Sequence, residues 1–207
     1  MNQRTKASRA VSGPQKSAST ACRRFLLRLI CGLAVAASGV GLHAQTPRPN
    51  AEQVQAAYLY NFGKFVKWPA AAPANQSGGF EICVLDQDPF GDTLQSTLAG
   101  ESVGGKPVVV KRLHKAQEAI SCHILFISAS QSRDLKGILS SLDESAVLTV
   151  SDMPDFSKRG GMIQFVSNGD RIRFEVNLEG AERAHLVFPS ELLKVAAAVR
   201  KPGGDGE

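Results

Sequence analysis

The first 44 residues contain no Asp or Glu, and no apolar run in the chain reaches the roughly 20 residues a bilayer-spanning helix needs. No glycine-rich phosphate loop follows any predicted strand, which argues against a nucleotide-binding fold of the usual kind. There is no Gly-x-Ser-x-Gly string, so the nucleophile elbow of an α/β-hydrolase is missing. Cysteines and histidines number four each, and the histidines show no paired spacing of the sort that holds zinc. No metal, no cofactor and no catalytic set is expected.

The missing acids at the start have a counterpart in seven basic residues (Arg4, Lys6, Arg9, Lys16, Arg23, Arg24, Arg28). An uncharged apolar stretch, LICGLAVAASGVGLHA, follows them, with LHA as a cleavage site before Gln45. This build is that of a secretory signal peptide over 1–44, and an uncleaved amphipathic anchor is the alternative. Export to a bacterial periplasm is the expectation. Removing seven of the 24 basic residues leaves 17 against 19 acids, so the net charge of +5 turns into −2. With no cationic surface expected to remain, nucleic acid is excluded as a partner. Cys22 and Cys31 leave with the leader. Cys83 and Cys122 remain, and in an oxidising compartment two cysteines point to a disulfide rather than free thiols.

The rest reads as one domain over 45–200 with a disordered tail over 201–207. AEQVQAAYLYNFGKFVKWP is an amphipathic helix, with Val54, Tyr58, Phe62, Phe65 and Val66 as its apolar stripe and Asn50 as its cap. FEICVL, KPVVVKRL, HILFIS and AVLTVSD are strands. The helical segments PFGDTLQSTLAG, HKAQEAISC and QSRDLKGILSSL separate them, the last with Leu135, Ile138 and Leu139 inward. GGMIQFVSNGDRIRFEVNL reads as a hairpin turning at Asn168-Gly169. Two helices, EGAERA and PSELLKVAAAV, close the chain. Alternating strands and helices favour a parallel sheet. The expected fold is a single three-layer α/β domain, its mostly parallel sheet flanked by helices, with a C-terminal antiparallel hairpin.

Three places could carry chemistry. The carboxyl ends of the strands hold Asp86, Asp88, Ser128, Ser130, Ser151 and Asp152, where open α/β sheets bind ligands. Asp and Ser also favour ordinary turns and caps, and we expect the two aspartates to be structural. The second place is RIRFEVNL. Alternation puts Arg171, Arg173, Glu175 and Asn177 on one face, either a solvated face or a surface for a partner or an anionic ligand. The third is the first helix, where Tyr58, Tyr60, Phe62, Phe65 and Trp68 crowd eleven residues and not all can face one way.

Together the strings AAYLYNFGKFVKWP, EICVLDQDPFG, CHILFIS, LTVSDMPDFSKRGGMIQF and RIRFEVNL resemble the YfiR family over residues 50 to 200. The resemblance implies a periplasmic α/β repressor of a membrane-bound diguanylate cyclase of the YfiN type. It also implies a homodimer, and sequestration by an outer-membrane lipoprotein. Cys83 and Cys122 match one disulfide of the family's type member, and Glu175 matches a position tied to repression. The type member's second disulfide has no counterpart, because FSKRGGMIQF lacks cysteine. The other reading kept from the sequence is a periplasmic small-molecule binder or hydrolase using the strand-end rim.

Overall fold

The computed structural model describes residues 49–203, apart from residue 170. The expected signal peptide and the last four residues of the expected tail lie outside the described residues. Strands form at Phe80–Leu85 (β1), Ser102–Val103 (β2), Lys106–Leu113 (β3), Ile124–Ile127 (β4), Leu148–Ser151 (β5), Ile163–Asn168 (β6), Arg171–Asn177 (β7) and Ala198–Arg200 (β8). Helices form at Ala51–Phe65 (α1), Asp92–Thr97 (α2), Leu135–Ser141 (α3), Leu178–Arg183 (α4) and Ser190–Val195 (α5). Among the described residues no helix is long and apolar enough to cross a membrane.

The strands make one sheet in the order β2-β3-β1-β4-β5-β6-β7-β8. From β3 to β6 all neighbours are parallel; β7 returns antiparallel to β6, and β8 lies parallel to β7. This is the expected mostly parallel α/β sheet with its late hairpin. Period-2 alternation sends Ile82, Val84, Ile124, Phe126, Val150 and Phe174 to a core under α1. Cys83, Leu85, Leu125 and Ile127 go to the other face, under α3 and the 3-10 turn Ala116–Ser121. Three layers result.

Sequence foresees the start of α1 well. The Asn50 side chain accepts from the Gln53 N–H at 2.8 Å, and the Gln53 side chain accepts from the Asn50 N–H at 3.0 Å, a reciprocal cap. The expected stripe needs correction. The buried residues of α1 are Gln55, Ala56, Leu59, Phe62 and Gly63, while Phe65 is 45% exposed. Val66 has already left helical geometry (ψ 143°), so it reaches the core from an extended segment and not by helical period. Phe62 packs edge-on to Phe174 at 5.1 Å, and Tyr58 does the same at 5.4 Å, tying α1 to β7.

The C-terminal segment also departs from expectation. PSELLKVAAAV is not one helix: α5 stops at Val195, and residues 198–200 extend along β7 as an edge strand. In the hairpin Asn168 pairs with Arg171, so the turn begins at Gly169, one residue later than expected. Gly169 has φ 59°, a left-handed value that glycine takes without strain.

Cys83 on β1 and Cys122 just before β4 form a disulfide, both fully buried, with Cα atoms 6.1 Å apart. Beside it His123 is buried and stacked on Phe80 at 4.2 Å. Its Nδ1 accepts from the Glu81 N–H at 3.1 Å. Burial, and then the positive charge of Lys106, lower its pKa to about 4, with Glu81 opposing.

Two outcomes are expected. Thiol titration of unreduced protein spanning residues 45–207, in denaturant, should find no free cysteine. Closing a loop of 39 residues should stabilise the fold by about 4 kcal/mol in the chain-entropy model, a loss to be read from urea unfolding of Cys83→Ala/Cys122→Ala. The second outcome concerns acid. His123 titrates lower in the folded chain than in the unfolded one, so the unfolded chain takes up the proton first. Its contribution is complete above about pH 6.5 and falls as pH drops toward 4. Across that window wild type should lose up to about 1.4 kcal/mol per pH unit more than His123→Asn, which keeps an acceptor near Nδ1 but cannot titrate. Parallel stability curves would refute this.

Candidate functional site

The strand-end rim is assembled as the sequence suggests, but Asp86, Asp88, Ser128, Ser130 and Ser151 are used inside the fold, while Asp152 is exposed. Asp86 leaves β1 with φ 67°, and its N–H donates to the Leu113 carbonyl at 2.8 Å. Its carboxylate accepts from Gln131 Nε2 at 2.8 Å and Ser130 Oγ at 3.0 Å. Those two bonds, Gln131 first, hold the Asp86 pKa below the ordinary carboxylate value. Asp88 accepts from the Phe90 N–H and pairs with Arg112 at 2.8 Å. Ser128 caps the turn Ala129–Ser132, and Ser151 Oγ donates to the Ile127 carbonyl while accepting from the Met153 N–H. The rim fastens the loops that leave β1, β4 and β5.

Asp86 and Asp88 therefore act as turn residues. Glu81, Cys83 and Cys122 also lie close together, but each sulfur is bonded to the other and offers no ligand atom. Glu81 itself is paired with Lys111 at 2.7 Å.

The polar face of β7 is graded along its length. Arg171 and Arg173 near the hairpin turn are exposed, Glu175 is half-buried and Asn177 is buried. Asn177 is committed internally. Its Oδ1 accepts from the Glu179 and Gly180 N–H groups, capping α4. Its Nδ2 donates to the Ser157 and Gly161 carbonyls at 3.1 Å. A strand that runs directly into a helix must turn its last side chain back to cap it, so Asn177 positions the face and does not belong to its exposed part. Gly161 is required here, because a Cβ would lie 2.1 Å from the Phe156 ring.

Glu175 sits opposite Gln164 on β6. Ser157 joins them: its N–H donates to Gln164 Oε1 at 3.1 Å, and its hydroxyl donates to Glu175 Oε2 at 2.9 Å. Arg200 of β8 donates to that same hydroxyl at 3.4 Å. Glu175 is thereby bonded to Ser157, which with Asn177 lines a recess of about 570 Å³. Among the described residues Lys158, Arg159, Arg183, Arg200 and Lys201 line this recess, with Glu179 as its only acid. Arg183 pairs with Glu179 at 2.9 Å, and Lys158 with Asp155 at 2.8 Å. The recess stays cationic after these pairs are counted. This corrects the expectation that no cationic surface remains: a net charge of −2 over residues 45–207 does not exclude a local concentration. No composition signal could have shown it, because residues 158, 183 and 200 meet only through the sheet.

The aromatic run divides. Tyr58 and Phe62 pack in the core, Phe65 faces solvent, and the Tyr60 hydroxyl donates to the Ser102 carbonyl at 3.2 Å. Trp68 packs edge-on to Phe80 at 5.4 Å and to His123 at 5.8 Å. His123 had no sequence signal, since its partners come from three separate segments.

Among solved structures the chain is similar to a conserved domain protein of Vibrio cholerae, at TM-score 0.50 and 10% identity. The match covers 73% of this chain and 60% of that one, so the chain spans about three fifths of that protein's length. At this identity the likeness speaks of fold alone. The YfiR/HmsC-like family model matches residues 52–197, from the first turn of α1 to the residue before β8. The chain belongs to the YfiR/HmsC-like family.

Proposed function

We propose that this protein acts in the periplasm as a repressor of an inner-membrane diguanylate cyclase. It binds the cyclase's periplasmic sensor domain through the exposed part of the β7 face and the adjoining cationic recess. The family match over residues 52–197 carries the reading, because this is a regulatory family of periplasmic proteins and not a family of enzymes. The site geometry is consistent with it. Arg171 and Arg173 are exposed, Glu175 is held by Ser157, and five cations line the recess to which Ser157 and Asn177 also contribute. Such a surface suits an acidic partner face, and complementary charge of this kind mainly speeds and steers docking. Homodimerisation, and sequestration by an outer-membrane lipoprotein as the releasing step, belong to the same proposal. The rival rim-based binder or hydrolase loses ground because Asp86, Asp88, Ser128 and Ser151 are taken up by internal bonds.

Deleting the gene in its native host should raise cyclic-di-GMP and biofilm. Glu175→Lys should do the same at unchanged protein level, a buried interfacial charge being worth roughly 2–5 kcal/mol when its partner is left unpaired. Arg171→Glu/Arg173→Glu should weaken capture of the purified sensor domain by about tenfold, and added salt should weaken wild-type capture. A deletion without effect on cyclic-di-GMP would sink the function. Normal repression by both variants would sink only the surface. Asn177→Ala serves as a contrast: it should cost about 1–3 kcal/mol of stability by removing the α4 cap and leaving two buried carbonyls without their donor.

A further inference from the structure

A second opening lies between the C-terminal end of α1 and the start of β1, bounded beyond by the β2–β3 turn. It is a cleft of about 500 Å³, within the size range of small-molecule sites. Trp68, Phe80 and His123 give it an aromatic floor, and Lys64 and Lys106 stand at its sides. Gly63 lets the helix approach the floor closely, since a Cβ there would lie 2.8 Å from the Phe80 ring. Among the described residues no carboxylate lines it.

Its polar groups are biased toward donors. The Trp68 indole N–H is buried without an acceptor, alone in this among the buried side-chain polar atoms of the described residues. An unpaired buried donor of this kind carries a desolvation cost that an incoming acceptor can recover. Because His123 Nδ1 accepts from the Glu81 N–H, the neutral ring carries its proton on Nε2 and has that N–H to offer. Lys106 is held in place by donating to the Asn75 and Ser77 carbonyls, so its charge is fixed at the wall and not swinging in solvent.

We propose that this cleft binds a small planar organic carboxylate. Its flat apolar part would lie on Phe80 and Trp68, and its carboxylate would face Lys64 and Lys106. A slight turn of the indole then gives the Trp68 N–H an acceptor. An aromatic floor selects a flat apolar body, while a ring of donors and cations with no carboxylate among the described residues selects an anion. The proposal uses none of the residues of the β7 face, so it stands or falls apart from the cyclase reading.

The test uses the mature protein, isotope-labelled for NMR. Its single tryptophan gives one indole N–H resonance that reports on the cleft alone. Benzoate is the probe; benzamide is its neutral counterpart and inorganic phosphate is an anion without a ring. Benzoate should move the indole resonance saturably, with a midpoint at least roughly tenfold below that of either control. Lys64→Glu, on the exposed side of α1, should raise the benzoate midpoint about fivefold or more while leaving the melting temperature and the spectrum outside the cleft as in wild type. An indole resonance that benzoate leaves unmoved would overturn the proposal. So would equal midpoints for benzoate and benzamide, phosphate acting as well as benzoate, or an unchanged midpoint in Lys64→Glu.

Discussion

All six side chains of β1 are buried, so both faces of this interior strand have to be covered at once. Most of the architecture follows from that requirement. Phe80, Ile82 and Val84 call for α1 and α2 on one side; Cys83 and Leu85 call for α3 and the Ala116–Ser121 turn on the other. Polar groups on such a strand must find partners, because an unpaired one is costly in a low-dielectric interior. Glu81 shows how this is met: its carboxylate takes Lys111, its N–H takes His123 Nδ1, and its carbonyl accepts the His123 N–H. Where burial ends, at Asp86, the chain turns at once and the acids begin.

The parallel core was legible because its strands are short apolar runs set between helical segments, and a strand buried on both faces leaves that trace. The cap at Asn50, the hairpin and the disulfide were legible for similarly local reasons. What local pattern could not give was the outcome of edges and junctions. Residues 198 and 199 read as helix because Ala-rich segments have high helix propensity, yet they pair with β7, which otherwise would expose an open edge. Phe65 read as core from its spacing, but α1 ends there and the period no longer applies. Asn177 shares strand parity with Glu175, and only the immediate start of α4 draws it inward.

Site legibility follows the same division. Residues that act along one strand, such as Arg171, Arg173 and Glu175, can be grouped by alternation. The cationic recess and the Trp68–His123 cleft cannot, because each is made from segments that meet only when the sheet is complete. A chain-wide charge count averages over the first of these, and a lone histidine and a lone tryptophan give no hint of the second.

The covalent link between Cys83 and Cys122 encloses α2, β2, β3 and the Ala116–Ser121 turn in one closed loop. That loop includes an edge of the sheet, the part of an α/β fold where fraying begins and proteases gain entry. A single cut anywhere between the two cysteines leaves one molecule, both ends of the nicked segment still anchored at the centre of the sheet. Releasing any fragment then requires a second cut, inside the loop or outside it, or reduction of a bond whose two cysteines are fully buried in the folded state.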